Sequence, residues 1–396
     1  MESIKDNFTF QAPTEFVFGK DTEKEAGRLV KKYGGSKVLV HYGGGSAVKS
    51  GLIDTITKSI EDAGLEYSVF GGAHPNPRSG LVREGIEMGR QLHTDFILAV
   101  GGGSVIDSAK AIAAGIPYDG DFWDLYDKSA PIEEAVPVGT VLTIAAAGSE
   151  GSPNSVITNE ENGLKRGTKS ELLRPKFSIL DPALTETLPQ WQTASGITDM
   201  FAHILERYFT TTADVEATDR LCEGLMLGIL EEAPKVIADP HDYQARANLM
   251  WTGTLAHNNT CGVGRTQDWA SHHLEHELSG MYDVTHGAGL AVMFPAWIEY
   301  TAQIDPTRAA QLAHRVFGVS NDLNDHEAAI EGVRRFRSFL KSIGMPLNFK
   351  ELGCRRGDIP RLVDKLFTNI DTEGVYAVLK PEDCVKIYEA AADYED

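Results

Sequence analysis

Two short apolar runs set the terms for the fold. KVLVHY (Lys37–Tyr42) and DFILAV (Asp95–Val100) each break into Gly-Gly-Gly-Ser, at Gly43–Ser46 and Gly101–Ser104, and each then enters a helical period. A run of about six aliphatic and β-branched residues bounded by glycine reads as a strand buried on both faces. EYSVFGG, VPVGTVLTI and KFSILDP continue the strand pattern as far as Pro182, while AVKSGLIDTITKSIEDAG and VIDSAKAIAAG read as helices among them. Strands alternating with helices predict a mostly parallel sheet with helices on both faces.

From about Gln190 the texture changes. WQTASGITDMFAHILERYFT, VEATDRLCEGLMLGILEEAPKVI, DYQARANLMWTGTLAHNN and DHEAAIEGVRRFRSFLKSIG carry apolar residues at helical spacing, and strand signals nearly vanish. A chain of 396 residues exceeds one ordinary core. The expectation is an α/β nucleotide-binding domain over residues 1–188 and an all-α domain over 189–396, divided at Leu188-Pro189. A cleft between the two is the default place for chemistry.

Composition narrows the partners. With 42% apolar and 24% charged residues the chain is ordinary globular protein. A net charge of -20 repels phosphate backbones and argues against a nucleic-acid partner. The cysteines Cys222, Cys261, Cys354 and Cys384 form no C-x-x-C pair, so neither a disulfide framework nor a thiolate zinc site is expected. MESIKDNFTFQAPTEF lacks a basic start followed by an apolar run, and no stretch approaches about 18 consecutive apolar residues. A cytoplasmic protein without a membrane partner is the expectation.

The glycine runs point to a phosphate. Glycines between a strand and a helix let the backbone come close to a ligand, and the helix start offers unpaired N–H groups with a partial positive charge. Gly101–Ser104 is the better pyrophosphate cradle, because a strong strand and a strong helix flank it. Neither run completes G-x-G-x-x-G, since Val48 and Ile106 stand where the last glycine would fall. Around Gly43–Ser46 there is no carboxylate to meet a ribose 2′-hydroxyl, but there are Ser46 and Lys49. A hydroxyl and an ammonium suit a 2′-phosphate, which favours NADP(H) over NAD(H).

The histidines point to a metal. Asp199 and His203 are four residues apart on one predicted helix, and His272 and His276 on another. That spacing puts both side chains on one face, a turn apart. Gly280 and the turn-like SGMYDVT are expected to end the second helix, and Thr285 to cap a third that opens with His286. One carboxylate and up to three imidazoles would make a mixed site for Fe²⁺ or Zn²⁺. His273, His241 and His257 carry no assigned role. A rival reading takes His272-His-Leu-Glu-His276 as the H-x-x-E-H signature of a zinc peptidase, with Glu275 as general base. It explains neither the glycine runs nor Asp199 with His203.

Taken together, FTFQAPTEFVFGK, YGGGSAVKSG, HPNP, VGGGSVIDSAKA, AAAGSE, ILDPALTETLP, GITDMFAHILERYFT and HGAGLAVMFPAW resemble the iron-containing (group III) alcohol dehydrogenases, nearest their NADPH-dependent butanol dehydrogenase and aldehyde reductase subgroup. The resemblance implies a dehydroquinate-synthase-like architecture, a homodimer, and hydride transfer between NADP(H) and a primary alcohol or aldehyde. It places the metal on Asp199, His203, His272 and His286, the last two fourteen residues apart. It makes His276 a non-ligand beside the substrate, suited to relaying a proton. Gly43, Gly44, Gly45 and Ser46 fall at the adenosine end of the cofactor, and Gly102, Gly103 and Ser104 at the pyrophosphate. Asn76, Asp107, Thr143, Asn154 and Lys165 follow as lining residues. One departure is Thr143-Ile-Ala-Ala-Ala147-Gly-Ser-Glu150, where alanine replaces a second threonine of the family pattern. A dehydroquinate-synthase-like lyase, the rival from another enzyme class, needs several cations around the metal, and only Arg207 and Arg265 lie near the histidine stretches.

Overall fold

The computed structural model describes residues 8–395. Eight strands occur in chain order: β1 (Glu15–Phe18), β2 (Lys37–Tyr42), β3 (Glu66–Phe70), β4 (Phe96–Gly101), β5 (Val138–Leu142), β6 (Asn154–Thr158), β7 (Lys165–Lys169) and β8 (Phe177–Leu180). The helices that matter for the site are α1 (Ser79–Gln91), α2 (Gly103–Gly115), α3 (Gln190–Tyr208), α4 (Ala270–Tyr282) and α5 (His286–Ala302).

Six strands form one parallel sheet in the order β1-β8-β5-β4-β2-β3. Its strands alternate between two cores, as a sheet covered on both faces requires. Val38, Val40, Phe96, Leu98 and Val100 point into one cluster, and Leu39, Ile97 and Ala99 into the other. From β2 the chain builds outward to β3, then returns past β2 and builds the other way through β4, β5 and β8. The order therefore reverses between β2 and β4. In open α/β sheets ligands bind at the carboxyl ends of the strands at such a reversal. Both glycine runs lie there, one after β2 and one after β4.

Two features go beyond the alternation read from sequence. The antiparallel hairpin β6–β7 stands apart from the main sheet and is held to α2 by buried charges. Asp107 accepts from the Ser149 hydroxyl at 2.5 Å and from the Val156 N–H at 3.0 Å. The Lys110 ammonium donates to the carbonyls of Ser149, Ser152 and Asn154 at 2.7, 2.9 and 2.8 Å. Burial raises the Asp107 carboxyl and pushes Lys110 down to about 8. The second feature is a break in AVKSGLIDTITKSIEDAG: helical turns Ser46–Lys49 and Leu52–Asp62 are separated by Gly51, whose φ of 77° ends one and starts the other.

The chain forms two compact units, and the division departs from residues 1–188 and 189–396 at two places. Among the described residues, one unit comprises Gln11–Leu188 with His241–Thr254; the other comprises residues 8–10, Pro189–Pro240 and 255–395. His241–Thr254 joins the sheet unit because Met250 is fully buried in its core and Trp251 meets Phe16 and Phe18 edge-on at 5.6 and 6.2 Å. The Thr254 hydroxyl also donates to buried Glu150 at 2.6 Å. Among the described residues the second unit holds no strand, only the isolated bridge Glu373–Leu379. Its core includes α5, which is apolar on nearly every side and correspondingly buried from Gly287 to Ile298. Among the described residues no helix is long and apolar enough to cross a membrane. All four cysteines are buried free thiols.

Candidate functional site

In the sheet unit the loop after β4 is a tight fit. Gly102 is extended, and Gly103 opens α2. A β-carbon on Gly103 would lie 2.8 Å from that of Ala147, and one on Gly102 would lie 3.0 Å from that of Ile144. The segment after β5 is thus laid against the glycine run. Thr143 adds a backbone bond from its N–H to the Gly101 carbonyl at 3.1 Å. The helix start of Gly103 and Ser104 faces outward from this packing with the amide groups that any helix leaves unpaired. Gly44, by contrast, borders open space, a β-carbon on Gly45 would meet only the Lys49 side chain at 3.6 Å, and Ser46 and Lys49 are exposed.

The lining residues divide. Lys165, buried at the start of β7, donates to the Asn76 side chain at 3.0 Å. Asn76 is itself buried and in a left-handed conformation, with φ of 52°. Lys165 also draws the Asp107 carboxyl down against the effect of burial. Asn76, Lys165 and Asp107 therefore form one polar group. Asp107 spends both oxygens on Ser149 and Val156, so it orders α2 and the hairpin. Asn154 starts β6, and its carbonyl receives Lys110.

In the helical unit α3, α4 and α5 converge. Asp199 and His203 lie a turn apart on α3, with Asp199 Oδ1 3.3 Å from His203 Nδ1. The same oxygen is 4.0 Å from His272 Nε2 on α4 and 3.8 Å from His286 Nε2 on α5. Asp199, His272 and His286 bring one donor atom each within 4.8 Å of one another. His203 approaches them through Asp199 and does not complete that group as the rings now stand. Buried His203 Nδ1 and His272 Nε2 have no hydrogen-bond partner. Burial holds both imidazoles well below the usual histidine range, aided at His203 by the Arg207 charge and at His272 by the neighbouring histidines. Neutral rings with unused nitrogens beside a carboxylate are a donor set that fits a divalent ion of the Fe²⁺ or Zn²⁺ kind.

Missing side chains make the convergence possible. A β-carbon on Gly287 would lie 2.0 Å from the Ser195 carbonyl oxygen, so α5 can approach α3 only with glycine there. A β-carbon on Gly289 would strike Glu275 at 2.6 Å. Thr285 caps α5 as expected, yet its hydroxyl receives the Trp191 indole at 3.1 Å rather than a helix N–H. Helix α4 runs past Gly280 and ends at Tyr282, where Asp283 adopts φ of 54°.

Several residues of the site escaped the sequence reading. Glu206 receives His272 Nδ1 at 2.7 Å, and Glu275 receives His286 Nδ1. Glu206 was legible in principle: Asp199, His203 and Glu206 follow the i, i+4, i+7 stripe of one helix face. His257, given no role, lies with its ring centroid 4.1 Å from that of His203 and accepts from Arg207 at 3.2 Å. Nothing local marks it. His276 is half-buried, its ring 5.5 Å from His286 and 6.4 Å from His272. His272 and His276 thus fall in different ligand groups, and Glu275 is engaged with His286, which removes the peptidase reading. Arg207 and Arg265 are likewise committed, to the His203 and Arg207 carbonyls respectively, so neither is spare to hold the substrate of a lyase of phosphorylated acids.

Residues 13–182 match the model of the iron-containing alcohol dehydrogenases, and residues 193–392 match that of the carboxy-terminal part of the Fe-containing alcohol dehydrogenase family. The chain belongs to this family. It is 42% identical over 386 residues to a probable NADH-dependent butanol dehydrogenase of Bacillus subtilis, covering 97% of this chain and 99% of that protein. To the NADPH-dependent aldehyde reductase YqhD of Escherichia coli it is 36% identical, covering 91% and 92%. The crystal structure of NADH-dependent butanol dehydrogenase A from Thermotoga maritima superposes with a TM-score of 0.95 at 40% identity, covering 99% of this chain and all of that one. The fold is accordingly the dehydroquinate-synthase-like fold of its structural relatives.

Gly287→Ala tests the glycine contact. The added methyl meets backbone rather than a movable side chain, so destabilisation at or above the ~1–3 kcal/mol typical of overpacking is expected. Chemical denaturation against the parent protein measures it; a loss below about 0.5 kcal/mol would contradict the close approach of α3 and α5.

Proposed function

We propose that this alcohol dehydrogenase transfers hydride between NADP(H) and a primary alcohol or aldehyde such as butanol or butanal. The observation that carries the reading is the convergence of the Asp199 carboxylate with the Nε2 atoms of His272 and His286. With His203 as the fourth donor, this set would hold one Fe²⁺ or Zn²⁺ ion. Such an ion supplies a Lewis acid for the substrate oxygen, and the nicotinamide supplies or accepts the hydride.

The chain's own residues do the rest. Asp199 brings the negative charge that offsets a dication, while the neutral rings of His272 and His203 keep lone pairs available at low proton cost. Gly102, Gly103 and Ser104 hold the pyrophosphate by backbone N–H groups, and Gly43–Ser46 with Lys49 take the adenosine end. Asn76, Thr143, Asn154 and Lys165 line the cofactor, with Asp107 ordering them from α2. The relatives' names divide between NADH and NADPH; the absence of a carboxylate from Gly43 to Ser50, together with exposed Lys49, supports NADP(H) here. His276, half-buried and beside His286, is suited to pass the alcohol proton to water. A cytoplasmic homodimer completes the reading. The outer edge of β1 pairs with no strand among the described residues, and Phe18 and Trp251 beside it are 41% and 40% exposed.

Stripping the metal and restoring Fe²⁺ or Zn²⁺, with oxidation of NADPH and NADH by butanal followed at each stage, tests the core of this. Activity should vanish on stripping, return with metal, and favour NADPH; turnover unchanged after verified removal would sink the Lewis-acid role. His276→Ala should keep its metal and lose about 10²–10⁴ of turnover, as removal of a general acid–base group does. Metal loss in that variant would make His276 a ligand instead. Phe18→Asp should shift the sedimenting species from two copies to one; an unchanged dimer would move the interface elsewhere.

A further inference from the structure

We infer that Glu206 and Glu275 are a pair of positioning carboxylates that govern how tightly His272 and His286 hold a divalent ion. The inference rests on the ligand set proposed above. Both glutamates are fully buried.

Each carboxylate comes from one helix and fixes a ring on the next. Glu206 on α3 reaches α4, where one oxygen accepts both the His272 ring at 2.7 Å and the His272 backbone N–H at 3.0 Å. Glu275 on α4 reaches α5, where Oε2 receives the His286 ring and Oε1 receives the Ser279 hydroxyl. In both cases Nδ1 carries the proton, so Nε2 carries the lone pair and faces Asp199. The tautomer, the ring orientation and the basicity of the free nitrogen are set by the same contact.

Neither glutamate can trade its histidine for water, because Asp199, Glu206 and Glu275 are all buried. Glu206 Oε2 has no hydrogen-bond partner, so the hydrogen bonds of that carboxyl are those of its other oxygen to the His272 ring and backbone.

Glu206→Gln and Glu275→Gln keep an oxygen that accepts from Nδ1 but replace the carboxyl group with a weaker amide acceptor. Cobalt(II), competed against a chelator of known affinity and followed by its visible absorption, is the probe. Each variant should bind it about 10–100-fold more weakly, with a shifted absorption band. Should a Gln variant fail to accumulate, Ser279→Ala, which strips one donor from Glu275, should show a smaller weakening in the same direction.

Parental affinity in both Gln variants would overturn the inference. Two cobalt ions bound by the parent, one of them lost in Glu275→Gln, would make Glu275 a ligand. His272→Ala separates the two readings: if it binds cobalt like the parent, the ligand set itself falls. If it loses cobalt while both Gln variants retain it, only the positioning role falls.

Discussion

Everything in the helical unit turns on the contact between Gly287 and the backbone of α3. A β-carbon at that position would sit 2.0 Å from the Ser195 oxygen, inside any tolerable approach. Glycine there lets α5 begin beside Asp199, which brings His286 Nε2 to 3.8 Å from the carboxylate. Gly289, two residues on, leaves room for Glu275 to reach the His286 ring. The short sequence His-Gly-Ala-Gly thus contributes one imidazole and two positions without side-chain volume.

The sheet unit uses the same device for a different end. Gly102 and Gly103 stand where a β-carbon would crowd Ile144 and Ala147, so the loops after β4 and β5 stack at the point where strand order reverses. Ala147, where the family pattern has threonine, presses its methyl towards Gly103. The substitution leaves Thr143 as the hydroxyl of that segment and makes the cradle there more apolar.

What the sequence disclosed follows from the range of the interactions. The strands, the glycine runs and the two i,i+4 pairs are local patterns, and local patterns can be read from one chain. Asp199 with His203 is such a pattern, and Glu206 extends it along the same stripe. His257 and Glu275 acquire their places only when separate helices meet, so no spacing announces them. The H-x-x-E-H match shows the converse: His272 and His276 have the right spacing, yet once α5 is packed against α4 they fall in different donor groups that share only His286. The break at Gly51 and the hairpin β6–β7 were hidden for a related reason. One depends on a single left-handed residue, and the other on buried Asp107 and Lys110 that only tertiary structure pairs with it.

The segment His241–Thr254 bears on how the chain comes to be folded. Domains made on the ribosome ordinarily finish in order, the amino-terminal one first. Here the sheet unit lacks Met250, the Trp251 contact with Phe16 and Phe18, and the Thr254 bond to Glu150 until residue 254 has emerged. By then Gln190–Tyr208, with Asp199 and His203, is already synthesised and waiting. The unit that starts first thus completes its core only with residues made after the first helix of the other unit.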